Sequence, residues 1–287
     1  MTAALTRTPE PIAMTNSTTD ATTRFLALPD GQLAYDDQGS GPLIVAVPGL
    51  GDLRQTYRLF TPLLVSAGYR VITLDPRGQG ESSAGWPDYS PMALGDDLKI
   101  LIDSLDAGPA ILMGNSYSGG AAVWTAAHHP EQVAGLILIG AFVRDARVTA
   151  VQRLMMRVAL SGPWKVSGWL AYFATLFKGG KPADHSAYLA RLRANLSEPG
   201  RFEALQAMLR ATRSPVAAQL SEVRTPTLVL MGHADPDFPD PQAEGDFIAG
   251  ALHGQLVMVE GAGHYPQAEL PQRTASVVLD FLKVQQQ

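Results

Sequence analysis

The 287-residue sequence predicts an α/β fold, a mostly parallel sheet flanked by helices. Three observations predict it. Short, continuously apolar runs recur along the chain, as fully buried strands require. Between them lie segments with helical apolar spacing, and the runs end at Gly or Pro turn residues. Hydrophobic residues at 46% against charged residues at 17% leave ample side-chain volume for a core.

The elements follow in order. Two strand-like runs from Arg24 to Asp37 flank the turn Pro29-Asp30-Gly31, which predicts a hairpin. Leu43-Ile44-Val45-Ala46-Val47 reads as a buried strand closed by Pro48-Gly49, and a helix is expected within Leu53 to Ala67. A strand over residues 69–74 ends at Asp75-Pro76-Arg77-Gly78, and residues 92–105 read as a helix with Leu94, Leu98, Leu101, Ile102 and Leu105 on its apolar face. Strand 110–114, helix 118–128 and strand 133–139 continue the β-α-β rhythm, which implies parallel strands joined by right-handed crossovers. The rhythm resumes with strands at 227–231 and 255–259 and a last helix from Pro271 to Val284.

The interruption from Phe142 to Leu220 is helix-like and apolar and is expected to form a helical cap over 142–220. The core is then expected over 24–141 and 221–287. Lys and Arg outnumber Asp and Glu by 12 to 4 in this segment, whereas the rest of the chain carries 10 against 23. Solvated helix faces would explain the basic surplus. Steering of an anionic substrate would explain it too, since arginine pairs bidentately with a carboxylate.

Other classes are disfavoured. The net charge of −5 argues against a nucleic-acid partner. With no cysteine there is no disulfide, thiolate nucleophile or thiolate metal site. HExxH-like histidine spacing and a Walker sequence are both missing, so no cofactor and no metal are expected. Residues 1–23, rich in Thr, Ala and Pro, read as a disordered tail without a signal-peptide apolar stretch. No apolar run approaches the ~20 residues of a membrane span. The expectation is a cytoplasmic protein with a small-molecule substrate and no membrane partner; oligomeric state is left open.

Chemistry concentrates at Gly114-Asn115-Ser116-Tyr117-Ser118-Gly119-Gly120, between a strand and a helix. That context suits a nucleophile elbow, whose sharp turn presents a serine Oγ at the sheet edge beside helix N-terminal amides. An acyl-transfer serine also needs backbone N–H donors for the oxyanion, and Tyr117, the residue after Ser116, supplies one. A base must take the hydroxyl proton, and six histidines compete for the task. His128 and His129 fall at a helix end before Pro130, while His185, His233 and His253 read as loop or surface residues.

The chain resembles the α/β-hydrolase superfamily from about Phe25 to Leu282. The elbow carries the resemblance, with Ser118 in place of the last glycine of Gly-x-Ser-x-Gly. Pro48-Gly49-Leu50-Gly51 stands where that family has His-Gly-x, Asp75 to Ser82 follows its Asp-x-Arg-Gly-x-Gly-x-Ser loop, and Gly261-Ala262-Gly263-His264 follows its late histidine loop. The resemblance implies a mostly parallel eight-stranded sheet flanked by helices, with a helical cap inserted after strand 6. It further implies Ser116 as nucleophile, His264 as base, Asp235 in Gly232-His233-Ala234-Asp235 as the orienting acid, and the Leu50 N–H as second oxyanion donor. Asp237 and Asp240 are chemically suited to the acid's role but less well aligned, and Asp145 is a more remote substitute. Asp75 to Ser82 is read as structural.

The expected reaction is hydrolysis of a carboxylic ester of a small, largely apolar substrate through an acyl-enzyme. Two alternatives stand beside it. Gly-Asn-Ser with Gly119-Gly120 and the cap also resembles carbon-carbon bond hydrolases that cleave acidic vinylogous diketones, though Tyr265 follows His264 where that group has tryptophan. The Gly-x-Ser-x-Ser elbow also occurs in hydrolase-like small-molecule receptors.

Overall fold

The computed structural model describes residues 22–145 and 149–285. The tail expected over residues 1–23 lies outside them except at its end, where Thr23 already opens the first strand. Among the described residues eight strands form one sheet: β1 (Thr23–Leu28), β2 (Gly31–Gln38), β3 (Leu43–Val47), β4 (Arg70–Leu74), β5 (Ala110–Asn115), β6 (Val133–Ile139), β7 (Thr227–Gly232) and β8 (Gln255–Val259). Their spatial order is β1-β2-β4-β3-β5-β6-β7-β8. β2 is antiparallel to β1 and to β4, and every other neighbouring pair is parallel.

Because strand side chains alternate between faces, the parallel strands divide their residues between two cores. Val45, Val47, Leu112, Leu136 and Leu138 enter one, and Ile44, Ala46, Ile111, Met113, Ile137 and Ile139 enter the other. Register keeps the rows aligned, with Val45 opposite Ile72 and Leu112, and Leu112 opposite Leu136.

The helices are α1 (Thr61–Ser66), α2 (Pro91–Leu105), α3 (Tyr117–His128), α4 (Ala150–Ala159), α5 (Lys165–Thr175), α6 (His185–Leu196), α7 (Arg201–Arg210), α8 (Ser214–Gln219), α9 (Pro241–Ala251), α10 (Pro266–Glu269) and α11 (Pro271–Gln285). Leu94 and Leu98 of α2, Ala121 of α3 and Ile248 of α9 cover the first face. Leu64 of α1 with Val278 and Phe281 of α11 cover the second. α2 starts sharply because the Ser90 side chain accepts from the Ala93 N–H at 3.2 Å and Pro91 follows it.

The helix expected within residues 53–67 is split. Arg54–Tyr57 forms a single 3-10 turn and α1 begins only at Thr61. The reason is the buried Arg54, whose backbone N–H donates to Asp75 Oδ1 at 2.7 Å and whose guanidinium pairs with Asp75 and Asp36. These contacts hold the turn to the end of β4.

α4 to α8 lie between β6 and β7. The apolar faces of α5, α6 and α7 join the loops at Leu53 and Tyr265 in a third cluster containing Trp169, Phe173, Leu192, Phe202 and Leu205. The sequence boundary at residue 220 groups α8 with this insert, but α8 packs on α2 and α3 and buries Val216 in the main core.

Candidate active site

Parallel strands deliver their following loops to one edge of the sheet. The loops after β3, β5, β7 and β8 carry Leu50, Ser116, Asp235 and His264, so four of the sequence candidates leave parallel strands in the same direction. Tyr117 accompanies Ser116.

Ser116 follows β5 directly and caps α3 with φ 55° and ψ −121°, one of three non-glycine residues with positive φ among those described. A side chain in this region is strained and must be held. Here the Ser116 N–H donates to Ile139 O at 2.8 Å, and its carbonyl accepts from Gly119 and Phe142 N–H groups at 3.1 and 3.0 Å. The close crossing needs glycine at two points. A Cβ on Gly114 would stand 2.6 Å from the Ser118 carbonyl oxygen, and one on Gly119 would stand 2.4 Å from the Ala141 Cβ. Tyr117 occupies the first turn of α3, where backbone N–H groups have no partner within the helix.

The β3 loop passes against the serine. A Cβ on Gly49 would lie 3.0 Å from Ser116 Cβ and 3.5 Å from its Oγ, so glycine is the residue that fits. Ser118, the departure from the common elbow, donates its hydroxyl to the Pro48 carbonyl and ties elbow to loop. Trp169 of α5 donates Nε1–H to Gly51 O at 3.0 Å, which adds the insert to the same loop.

His264 and Asp235 meet as expected. Nδ1 of His264 lies 2.7 Å from Asp235 Oδ2, and both side chains are buried. Gly140 leaves room for them, since a Cβ there would come within 3.0 Å of His264 Nδ1. The His264 N–H donates to Leu176 O at 2.9 Å, so the insert also fixes the histidine loop. Glu269 supports that loop by accepting from the Gly263 and Tyr265 N–H groups at 3.0 Å.

Asp237 is better placed than the sequence implies. Its Oδ2 lies 3.6 Å from His264 Nε2, its N–H donates to Asp235 Oδ1 at 3.0 Å, and Tyr172 of α5 donates its hydroxyl to Oδ1 at 2.6 Å. Burial works to lower the His264 pKa, but the Asp235 and Asp237 carboxylates outweigh it and push the value up to about 9. Asp235, Asp237 and His264 bring ligand atoms within 4.8 Å of one another. Those atoms are engaged by each other and by Tyr172, and no metal role is assigned to them.

The other candidates lie elsewhere. Asp145 accepts from Arg213 N–H, Thr212 and Ser214 at the start of α8, and Asp240 caps α9 by accepting from Ala243 N–H at 3.0 Å. His185, read from sequence as a surface or loop residue, is buried at the start of α6 with its ring edge-on to Phe177. Asp75 to Ser82 is structural in its contacts: Asp75 accepts from the Arg54 and Glu81 N–H groups, and Ser82 Oγ donates to Asp75 O at 2.6 Å. Two features were not legible in sequence. Tyr172 gave no signal in a run of apolar cap residues. Asp52, beside the Gly51 turn, is a buried carboxyl pushed up to about 6 by burial against the hydrogen bonds of Tyr188 and Leu53.

A hollow lined by Pro226, His253, Gly254 and Phe281 opens at the opposite, N-terminal ends of β7 and β8, so it is separate from this constellation.

The comparisons with known proteins agree with the architecture. The chain is 28% identical over 284 residues to the 2-hydroxy-6-oxononadienedioate/2-hydroxy-6-oxononatrienedioate hydrolase of Paraburkholderia xenovorans (strain LB400), covering 91% of this chain and 96% of that protein. A hydrolase from Pseudomonas aeruginosa PA01 has a crystal structure similar to this one, with TM-score 0.76, 27% identity, and coverage of 93% of this chain and 99% of that one. A thermophilic esterase from Thermogutta terrifontis is similar with TM-score 0.71, 25% identity, and coverage of 92% and 99%. The profile of the alpha/beta hydrolase fold matches residues 42–271, most of the chain. The chain therefore belongs to the alpha/beta hydrolase fold family and is an enzyme of that family.

Proposed function

We propose that the protein is a serine hydrolase that cleaves a carboxylic ester of a small, largely apolar substrate through an acyl-enzyme. The observation that carries this reading is the buried 2.7 Å contact between His264 and Asp235 at the sheet edge where Ser116 is held with positive φ. In this reading Ser116 Oγ attacks the ester carbonyl while His264 Nε2 takes its proton. Asp235 accepts from Nδ1–H, fixes the tautomer and stabilises the imidazolium. The Leu50 and Tyr117 N–H groups receive the oxyanion, a role in which one donor is worth about 3 kcal/mol in the transition state. Collapse of the intermediate expels the alcohol with the proton from His264. Water, deprotonated by the same nitrogen, then releases the acid.

The aromatic walls support an apolar substrate. Phe142 stacks on Phe238 at 4.7 Å, and both rings stand 6.2–6.4 Å from His264. The insert over residues 142–220 serves as a cap in this reading.

A second reading, hydrolysis of a carbon-carbon bond in an acidic vinylogous diketone, is favoured by one observation. The Arg213 guanidinium lies 5.2 Å from the Tyr117 ring and 5.7 Å from the Phe142 ring, and its Nε is buried without a partner. An anionic substrate group would satisfy it.

A substrate panel of short and long acyl esters, thioesters, lactones and ring-cleavage diketones tests both readings. Turnover is expected with esters and is expected to fall by about four to six orders of magnitude in Ser116→Ala. Turnover of diketones alone, lost in Arg213→Gln, would select the second reading. Undiminished turnover in Ser116→Ala would remove both.

A further inference from the structure

We propose that α4 and Trp164 form a docking surface for an anionic lipid layer, on which the enzyme lies without spanning it. Val151, Leu154, Met155 and Val158 occupy positions i, i+3, i+4 and i+7 of α4, the spacing of one apolar helical stripe. A stripe of this kind ordinarily faces the core. Here its members are 66%, 60%, 66% and 54% exposed. Trp164 follows at the end of the helix, 53% exposed, with its Nε1–H bonded to Val158 O at 3.1 Å.

The C-terminal end of the helix is anchored. Leu160 is buried in the cluster of the insert, its carbonyl accepts from Gln206 Nε2 at 2.8 Å, and Gly168 of α5 passes so close that a Cβ would stand 2.4 Å from the Ala159 carbonyl oxygen. The anchored end holds the stripe in place while leaving it uncovered.

Charge decides what covers it. From Thr149 through Lys165, the stretch that carries the stripe and Trp164, the sequence has three Lys and Arg and no Asp or Glu, inside a chain whose net charge is −5. Arg157 is exposed on α4, and Lys165 lies one residue beyond Trp164, paired with Glu203. A second copy of the chain docked on the stripe about a twofold axis would bring two such basic segments together, with no acidic group of either segment between them. Anionic headgroups match the basic segment, the apolar stripe enters the acyl boundary, and tryptophan favours that interface. α4 packs on α5, whose Trp169 reaches the Gly51 loop, so the docked face lies one helix layer from the candidate site. The proposal is independent of which bond that site cleaves.

The test is flotation of the full chain with vesicles of phosphatidylcholine alone or of equal parts phosphatidylcholine and phosphatidylglycerol, at low and high salt. The chain is expected to float with the anionic vesicles, about tenfold or more tightly than with neutral ones, and to be released by salt. Leu154→Glu/Met155→Glu is expected to abolish flotation with an unchanged circular dichroism melt, since both side chains already face water. Arg157→Glu is expected to weaken it. Failure to float with anionic vesicles, equal binding to neutral ones, or binding retained in the double variant would overturn the proposal. So would a native dimer in solution that the double variant dissociates, which would assign the face to a second copy.

Discussion

Replacing Asp237 by Asn tests the electrostatics of the site most directly. The substitution keeps the shape and removes one negative charge 3.6 Å from His264 Nε2. At an effective dielectric of about 20, a charge pair at that distance interacts by about 4–5 kcal/mol, a ceiling of about three pH units. Asp237 is partly exposed and shares its charge with the Tyr172 hydrogen bond, so the expected effect is about one to two pH units. The sign follows from the role proposed for His264 as base. His264, held near 9 by the two carboxylates, is protonated at neutral pH, and kcat/KM should climb with pH until the proton leaves. In Asp237→Asn the acid limb of the kcat/KM profile should move to lower pH by that amount. Tyr172→Phe, which removes a donor that draws charge away from Asp237, should move it slightly higher. Stability carries the same sign: with its folded pKa above the ordinary 6.5, His264 stabilises the fold below pH 6.5, and this contribution is lost as pH rises through about 9. An acid limb that stays in place or moves upward in Asp237→Asn would refute the assignment of His264's raised basicity to Asp237.

Two stability predictions follow from buried charges. Asp52 is raised to about 6 from 3.8, so the unfolded chain ionises first and stability falls as pH rises between those values. Asp52→Asn should therefore stabilise the fold by up to roughly 3 kcal/mol above pH 6 and by little below pH 4, read from urea midpoints at both. Equal midpoint changes at the two pH values would contradict it. Gly80 has φ +53°, and a Cβ there would lie 1.9 Å from Asp75 Oδ2, inside the Arg54 pair. Gly80→Ala should lose about 3–5 kcal/mol, as for a broken buried ion pair, against about 1–2 kcal/mol for Gly108→Ala, which has similar φ and open space. Similar losses at both positions would show that backbone strain alone is at work.

Much of the fold was legible because its signals are local. The buried strands at 43–47 and 133–139 are apolar on both faces, and α2 announces itself with its leucine spacing, its Ser90-Pro91 start being added by the structure. α9 went unread although Asp240-Pro241 is a start signal of the same kind, because its apolar face is short. The break in the 53–67 segment was hidden, since it arises from Arg54 meeting Asp75 and Asp36 from other elements.

The sequence by itself determined the α/β class and the elbow around Ser116 with Tyr117, since a sharp turn between strand and helix is a local signal, while Leu50, Asp235 and His264 came from the resemblance of their loops to those of the α/β-hydrolase superfamily. Only the tertiary structure decided how those loops interact. Ser118 bonds to Pro48, Trp169 to Gly51, and Tyr172 to the Asp237 that faces His264. It also decided that the α4 stripe, whose spacing resembles a core-facing helix, faces water. The physical reason is that periodicity records which residues share a face of one element, whereas the partner of that face, and the charge beside a given nitrogen, depend on segments distant in sequence.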